Sequence, residues 1–121
     1  MAKVECDFML VDFLNNKIQG APFGFVFDRG CFHSFSSEND RRGFAKNVAT
    51  HLEKAGLWLT IVGNADENRQ GPGPPQRTAK DIVLAVEPYF EILSLQSSYF
   101  GSNRPNPPRA WRCLMRKREV R

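Results

Sequence analysis

Apolar residues along this chain fall into short runs and stripes whose spacing predicts the elements. Residues 4–11 (VECDFMLV) have the length and content of a strand ending at Asp12, and residues 23–27 (FGFVF) form a continuous aromatic and β-branched run. Such a run suits a strand buried on both faces, as in a parallel sheet. From Ser37 the period changes. Phe44, Ala45, Val48, Ala49 and Leu52 make one apolar stripe at helical spacing, with Arg41, Arg42, Lys46 and Lys54 largely off it. Ser37, with Asp40 three residues on, supplies an N-cap and an acid at the positive end of the helix dipole; Gly56 is placed to close the helix.

Residues 57–62 (LWLTIV) predict a second strongly buried strand. Three prolines and two glycines between residues 67 and 77 predict a surface loop, because they remove backbone donors and packing side chains. Thr78 with Asp81 repeats the capping signature ahead of Ile82, Ala85, Val86 and Tyr89, and Pro88 limits that helix. Two more strands follow at 90–96 and 110–116. In the last, Trp111, Cys113 and Met115 alternate with Arg112, Leu114 and Arg116. Strands alternating with helices predict an α/β fold with a largely parallel sheet, and the final strand pair an antiparallel addition to it.

Composition narrows this without redirecting it. The 121 residues suit a single domain, and 41% hydrophobic with 25% charged residues excludes general disorder. No apolar run has membrane-spanning length and the N-terminus lacks a signal pattern, so the expectation is a soluble, cytoplasmic protein. Cys6, Cys31 and Cys113 are scattered, and His33 and His51 have no ligand partners at metal spacing, so no metal site is expected. The net charge of +4 is concentrated in residues 104–121, where seven basic residues face Glu119 alone. Arg112 and Arg116 beside Trp111 allow nucleic-acid binding, though protection of an edge strand explains them more simply.

Candidate chemistry gathers where strand 23–27 stops at Asp28-Arg29-Gly30, followed by Cys31 and His33. The carboxyl edge of a parallel sheet is where ligands bind in open α/β folds, and Asp12 would end the preceding strand on the same edge. Each acid could equally be a turn or cap residue. Cys31 and His33 suggest a thiolate–imidazole pair, yet an i, i+2 spacing separates the side chains if extended, and no oxyanion hole is marked. His51 falls on the polar side of its helix. Gly71-Pro72-Gly73 lies in the proline-rich loop, outside the strand-to-helix context that a phosphate cradle needs.

The segments FGFVFDRGCFHSF, RRGFAKNVATHLEKAGLWLTIVGN, GPPQRTAKDIVLAVEPYFEILSLQSSYF and AWRCLMRKR, in this order, resemble class I S-adenosylmethionine-dependent methyltransferases. The resemblance is to the thiopurine and tellurite-resistance branch. It implies a truncated Rossmann-like methyltransferase sheet covering the C-terminal two-thirds of such a domain, without the glycine-rich cofactor loop. It further implies that S-adenosylmethionine is the cofactor, with Asp12 on the adenine amino group, Phe13 flanking the ring, and Asp28, Arg29 and Gly30 near the methionine end. Cys31 and His33 then line the pocket of a small soft acceptor, a thiol or a metalloid. Without the loop, turnover by this chain alone is expected to be impaired or absent. A non-enzymatic oligomerising or regulatory module is the alternative. The strands missing beside 23–27 would leave that edge bare, so either strand 4–11 moves against it or two chains associate through it.

Overall fold

The structure, a computed structural model, describes residues 20–67, 75–101 and 106–119. Strand 4–11, Cys6, Asp12 and Phe13 lie outside the described residues. Five strands form one mixed sheet: β1 (Phe23–Arg29), β2 (Leu52–Asn64), the two-residue β3 (Gln76–Arg77), β4 (Phe90–Tyr99) and β5 (Arg109–Lys117). The spatial order is β1-β2-β5-β4, with β3 extending the far end of β2. β1 and β3 run parallel to β2; β5 runs antiparallel to both β2 and β4. This is the α/β arrangement that the pattern predicts, with the antiparallel pair at the C-terminus.

Two helices, α1 (Glu38–His51) and α2 (Ala79–Val86), pack on one face of the sheet. α1 starts where expected: the Ser37 hydroxyl accepts from the Asp40 N–H at 3.0 Å. At α2, Thr78 and Asp81 close a full capping box, each side chain accepting from the other's backbone N–H. Phe44, Ala45, Val48 and Ala49 of α1 meet Ile82, Ala85 and Val86 of α2 over Trp58, Val62, Phe90, Cys113 and Met115 of the sheet. Trp58 is the centre, its ring tilted against Phe44 and Phe90 and edge-on to Phe32. A cluster of this kind removes several aromatic side chains from water and adds ring-pair attraction to the area term.

Four expectations fail here. α1 ends at His51 and not at Gly56, because Leu52 becomes extended, pairs with Phe23, and gives its carbonyl to the Lys117 ammonium at 2.7 Å. The chain then turns at Ala55, whose φ is +61°, before regaining register at Leu57. Arg41 is buried, its guanidinium donating to the Phe35 and Ser36 carbonyls at 3.0 Å each. His51 is buried too, its Nδ1–H donating to the Asn47 carbonyl at 2.7 Å. Finally, β1 is covered on one face only: Phe25 and Phe27 remain 52% and 55% exposed. Their run of apolar residues reads as doubly buried, but among the described residues both helices cover the other face.

Candidate functional site

The carboxyl ends of β1, β2 and β4 point the same way, and the polar residues collect beyond them. β1 ends at Arg29 and is followed by Gly30, β2 ends at Asn64, and Phe100-Gly101 follow β4. Gly30 has φ +93°, a conformation that glycine adopts without steric cost, and from there the chain enters a 3₁₀ turn over Phe32–Ser34. The turn is held from within. Asp28 accepts from the Phe32 N–H at 3.2 Å and from the Trp58 indole N–H at 2.8 Å. Burial pushes the Asp28 pKa up; Thr60, the Phe32 N–H and the indole pull against it, the buried Thr60 hydroxyl without reaching hydrogen-bond geometry. The acid expected to face a cofactor is thus turned inward, where it ties the site to the core.

His33 is buried beside it. Its Nδ1 accepts the Gly63 N–H at 2.8 Å, so the neutral ring carries its proton on Nε2. Burial first, then the Arg77 and Arg29 guanidiniums, hold its pKa below the usual histidine range. A Cβ at position 30 would stand 3.4 Å from Nε2, so the glycine leaves open the space into which that N–H faces. Phe100 packs edge-on to the imidazole at 6.0 Å, and the Arg29 guanidinium lies 5.1 Å from the centre of the same Phe100 ring while donating to the Gly101 carbonyl at 3.4 Å. Such stacking fixes a guanidinium without neutralising it.

Cys31 is exposed, and its carbonyl accepts from Ser34, from the hydroxyl at 2.6 Å and the N–H at 3.1 Å. Partial burial and then the Asp28 charge raise its pKa, the opposite of what a nucleophilic thiolate needs. The imidazole is held by Gly63, so the structure gives no support to a thiolate–imidazole pair. Arg29, Gly30, Cys31 and His33 do come together at one edge, with Asp28 behind them.

Phe100, Asn64 and Arg77 belong to the same edge and were not singled out by sequence. Asn64 is fully buried, accepts from the Asp66 N–H at 2.8 Å, and has no partner for its amide nitrogen. Arg77 donates to the Phe35 carbonyl at 3.0 Å, and its own carbonyl accepts from the Trp111 indole at 3.0 Å. The rule that drew attention to Asp28, a polar residue ending a buried strand, applies equally to Asn64. Among the described residues no group of three or more His, Cys, Asp or Glu is placed to hold a metal ion, and no helix is long and apolar enough to cross a membrane.

Three of the five described basic residues of the C-terminal stretch are engaged. Lys117 holds Leu52, Arg118 pairs with Glu87 at 2.6 Å, and Arg109 donates to Ser97 at 3.0 Å. β5 also lies inside the sheet between β2 and β4, so edge protection does not explain its arginines. Trp111 faces away from Arg112 and Arg116, which weakens the nucleic-acid footprint.

Solved structures carry the same arrangement of elements. The chain has the fold of S-adenosylmethionine-dependent methyltransferases. Over 93% of its length it superposes on a SAM-dependent methyltransferase from Methanosarcina mazei, with a TM-score of 0.74 and 12% identity, covering 68% of that chain. The N-methyltransferase NodS from Bradyrhizobium japonicum, solved with S-adenosyl-L-homocysteine, matches over 90% with a TM-score of 0.64 and 13% identity. TehB from Haemophilus influenzae matches over 91% with a TM-score of 0.63 and 17% identity. The chain spans 53% of NodS and 40% of TehB. At these identities the likeness is one of fold. No protein-family model and no curated protein matches the sequence.

Proposed function

We propose that this chain is a methyltransferase domain that uses S-adenosylmethionine and transfers the methyl group to a small soft acceptor, a thiol or a metalloid. The observation that carries this is the convergence of Arg29, Gly30, Cys31 and His33 at the carboxyl edge of a sheet folded like those of such enzymes. When bound, S-adenosylmethionine supplies a methyl group already activated on a sulfonium. Gly30 fits that ligand, since the missing side chain leaves room in front of His33; Arg29 and Gly30 would hold its methionine end. Asp28 serves indirectly, by fixing the turn that carries them.

On the acceptor side this reading makes His33 a donor. With Nδ1 already accepting from Gly63, the ring offers Nε2–H, and its depressed pKa keeps it neutral near pH 7. It therefore orients a lone pair and does not remove a proton; a thiol acceptor would react as its thiolate, its proton released to solvent before the displacement. Phe100 and His33 are buried at this edge and give the acceptor side an apolar, polarizable wall. Methyl transfer is an in-line displacement, so positioning of this kind supplies much of the rate.

The test is calorimetric titration of S-adenosylhomocysteine into the chain, into Gly30→Val and into Asp12→Ala. Binding on the order of micromolar, weakened at least about tenfold by either substitution, is expected. No heat at millimolar ligand overturns the enzymatic reading. The non-enzymatic alternative then takes its place, favoured by the inward-turned Asp28 and the raised thiol pKa of Cys31.

A further inference from the structure

The carboxyl edge holds hydrogen-bond donors that the described residues do not satisfy. Asn64 is fully buried; its Oδ1 accepts the Asp66 N–H at 2.8 Å, and its Nδ2 has no partner. Arg77 is its register partner on β3, so the two side chains leave the sheet on one face. That face carries the helices: Asn64 alternates in step with the core residues Trp58 and Val62, and Arg77 donates to the Phe35 carbonyl at 3.0 Å. Arg41 donates to the same oxygen at 3.0 Å, and the buried Nε of each guanidinium has no acceptor. Asp81, 3.8 Å from Arg41, is the one carboxylate ion-paired to either among the described residues. Of the acids next to Asn64, Asp66 is exposed and Glu67 accepts the Arg109 N–H at 3.1 Å. Buried donors without partners cost free energy, so several on one patch require an acceptor.

We propose that the methyl acceptor is a small thiol bearing a carboxylate, the carboxylate held by the Asn64 amide nitrogen and the Arg77 guanidinium while the sulfur lies at His33. This rests on the methyltransferase reading above, in which Arg29 and Gly30 take the methionine end of the cofactor and leave Arg77 for the acceptor. Proximity supports it, since His33 holds the N–H of Gly63, the residue before Asn64. Charge supports it too. Beyond the effect of burial, the Arg77 and then the Arg29 guanidinium lower the pKa of His33, so the edge is net positive there. The connections that flank it in sequence, residues 68–74 (NRQGPGP) and 102–105 (SNRP), contain two arginines and no acid. A carboxylate accepts from an amide and a guanidinium at once, and burial strengthens both bonds. Arg77 is part-exposed and Asn64 fully buried, so an anion arriving from solvent meets the guanidinium first and the amide last. A neutral acceptor would leave the Asn64 nitrogen unpaired. In the transfer the carboxylate is a spectator: the thiol proton goes to solvent, and a thiolate lone pair forms the carbon–sulfur bond while the sulfonium sulfur keeps the pair of the bond that breaks.

The experiment is calorimetric titration of mercaptoacetate, and separately of its methyl ester, into the full chain saturated with S-adenosylhomocysteine. Mercaptoacetate is expected to bind at least about tenfold more tightly. Asn64→Asp keeps an oxygen for the Asp66 N–H and replaces the free nitrogen, so a purely local role in the turn would leave the preference unmoved. The variant is expected to lose it, with near-ultraviolet dichroism verifying the fold. Arg77→Gln should lose it as well, and Arg77→Lys, which keeps the charge, should retain part. Equal binding of the two thiols, or of neither, overturns the proposal and leaves the methyltransferase reading standing; it is also the result if Glu5, Asp7 or Asp12 already occupies these donors. A preference that survives Asn64→Asp overturns the assignment to this pair. Failure of S-adenosylhomocysteine itself to bind overturns both readings.

Discussion

Asp28 shows how one side chain links core to site. Its two oxygens satisfy the Trp58 indole and the Phe32 N–H, donors that have no alternative once the core closes. Leaving a buried donor unpaired costs roughly 1–3 kcal/mol, so Asp28→Ala should lose about 2 kcal/mol or more in urea unfolding and loosen the turn bearing Cys31 and His33. The pH dependence has a definite sign. Burial raises the native pKa of Asp28 above its unfolded value, so the group's contribution is full in acid and declines as pH rises through the native pKa. The deficit of the variant should therefore be wider near pH 4 than near pH 7. An equal deficit at both would mean that the carboxylate ionises in the fold as freely as in water. The sequence marks Asp28 as a strand-ending acid but is silent on its direction, because a period-2 pattern does not show which face the rest of the chain will cover.

At the scale of elements, the legible features are those carried by local chemistry. The α1 stripe from Phe44 to Ala49, the Ser37 and Thr78 caps and the alternation in β5 all stand where spacing puts them, since each depends on residues within one turn or one pleat. The boundary between α1 and β2 was not legible, because it is set by Lys117, 65 residues away, drawing on the Leu52 carbonyl. Gly56 looks like the residue that ends the helix, yet the left-handed position is Ala55, one residue earlier. A non-glycine residue there costs about 1–2 kcal/mol, part of which glycine returns as unfolded-state freedom. Ala55→Gly should thus raise the urea midpoint, by about 0.5–1 kcal/mol in stability. The opposite shift would show that unfolded-state entropy dominates at this turn. Of the missed site residues, Asn64 carries the same strand-ending signature as Asp28, whereas Phe100 has none and acquires meaning only through its packing on His33 and Arg29.

Across the whole molecule, long-range pairing sets the order of events. β2 lies at the middle of the sheet, joined to β1, β3 and β5, so the core and the carboxyl-edge site share one strand. Two tryptophans report on its middle and its far end: Trp58 sits fully buried against Phe32, Phe44 and Phe90, while Trp111 lies half-buried with its indole on the Arg77 carbonyl of β3. In a cooperative unit both must lose their environment together. Urea transitions of Trp58→Phe, which leaves Trp111 to be read, and of Trp111→Phe, which leaves Trp58, should each agree with far-ultraviolet dichroism of the same variant. The β3 end is the place where coincidence could fail, since that strand is two residues long and only Gly63 and Asn64 pair with it. A Trp111 transition preceding the loss of secondary structure would mean that β3, and with it the Arg77 side of the site, opens without global unfolding. The lowered His33 pKa would then be conditional on that closed state, because Arg77 is the larger of the two charges that depress it.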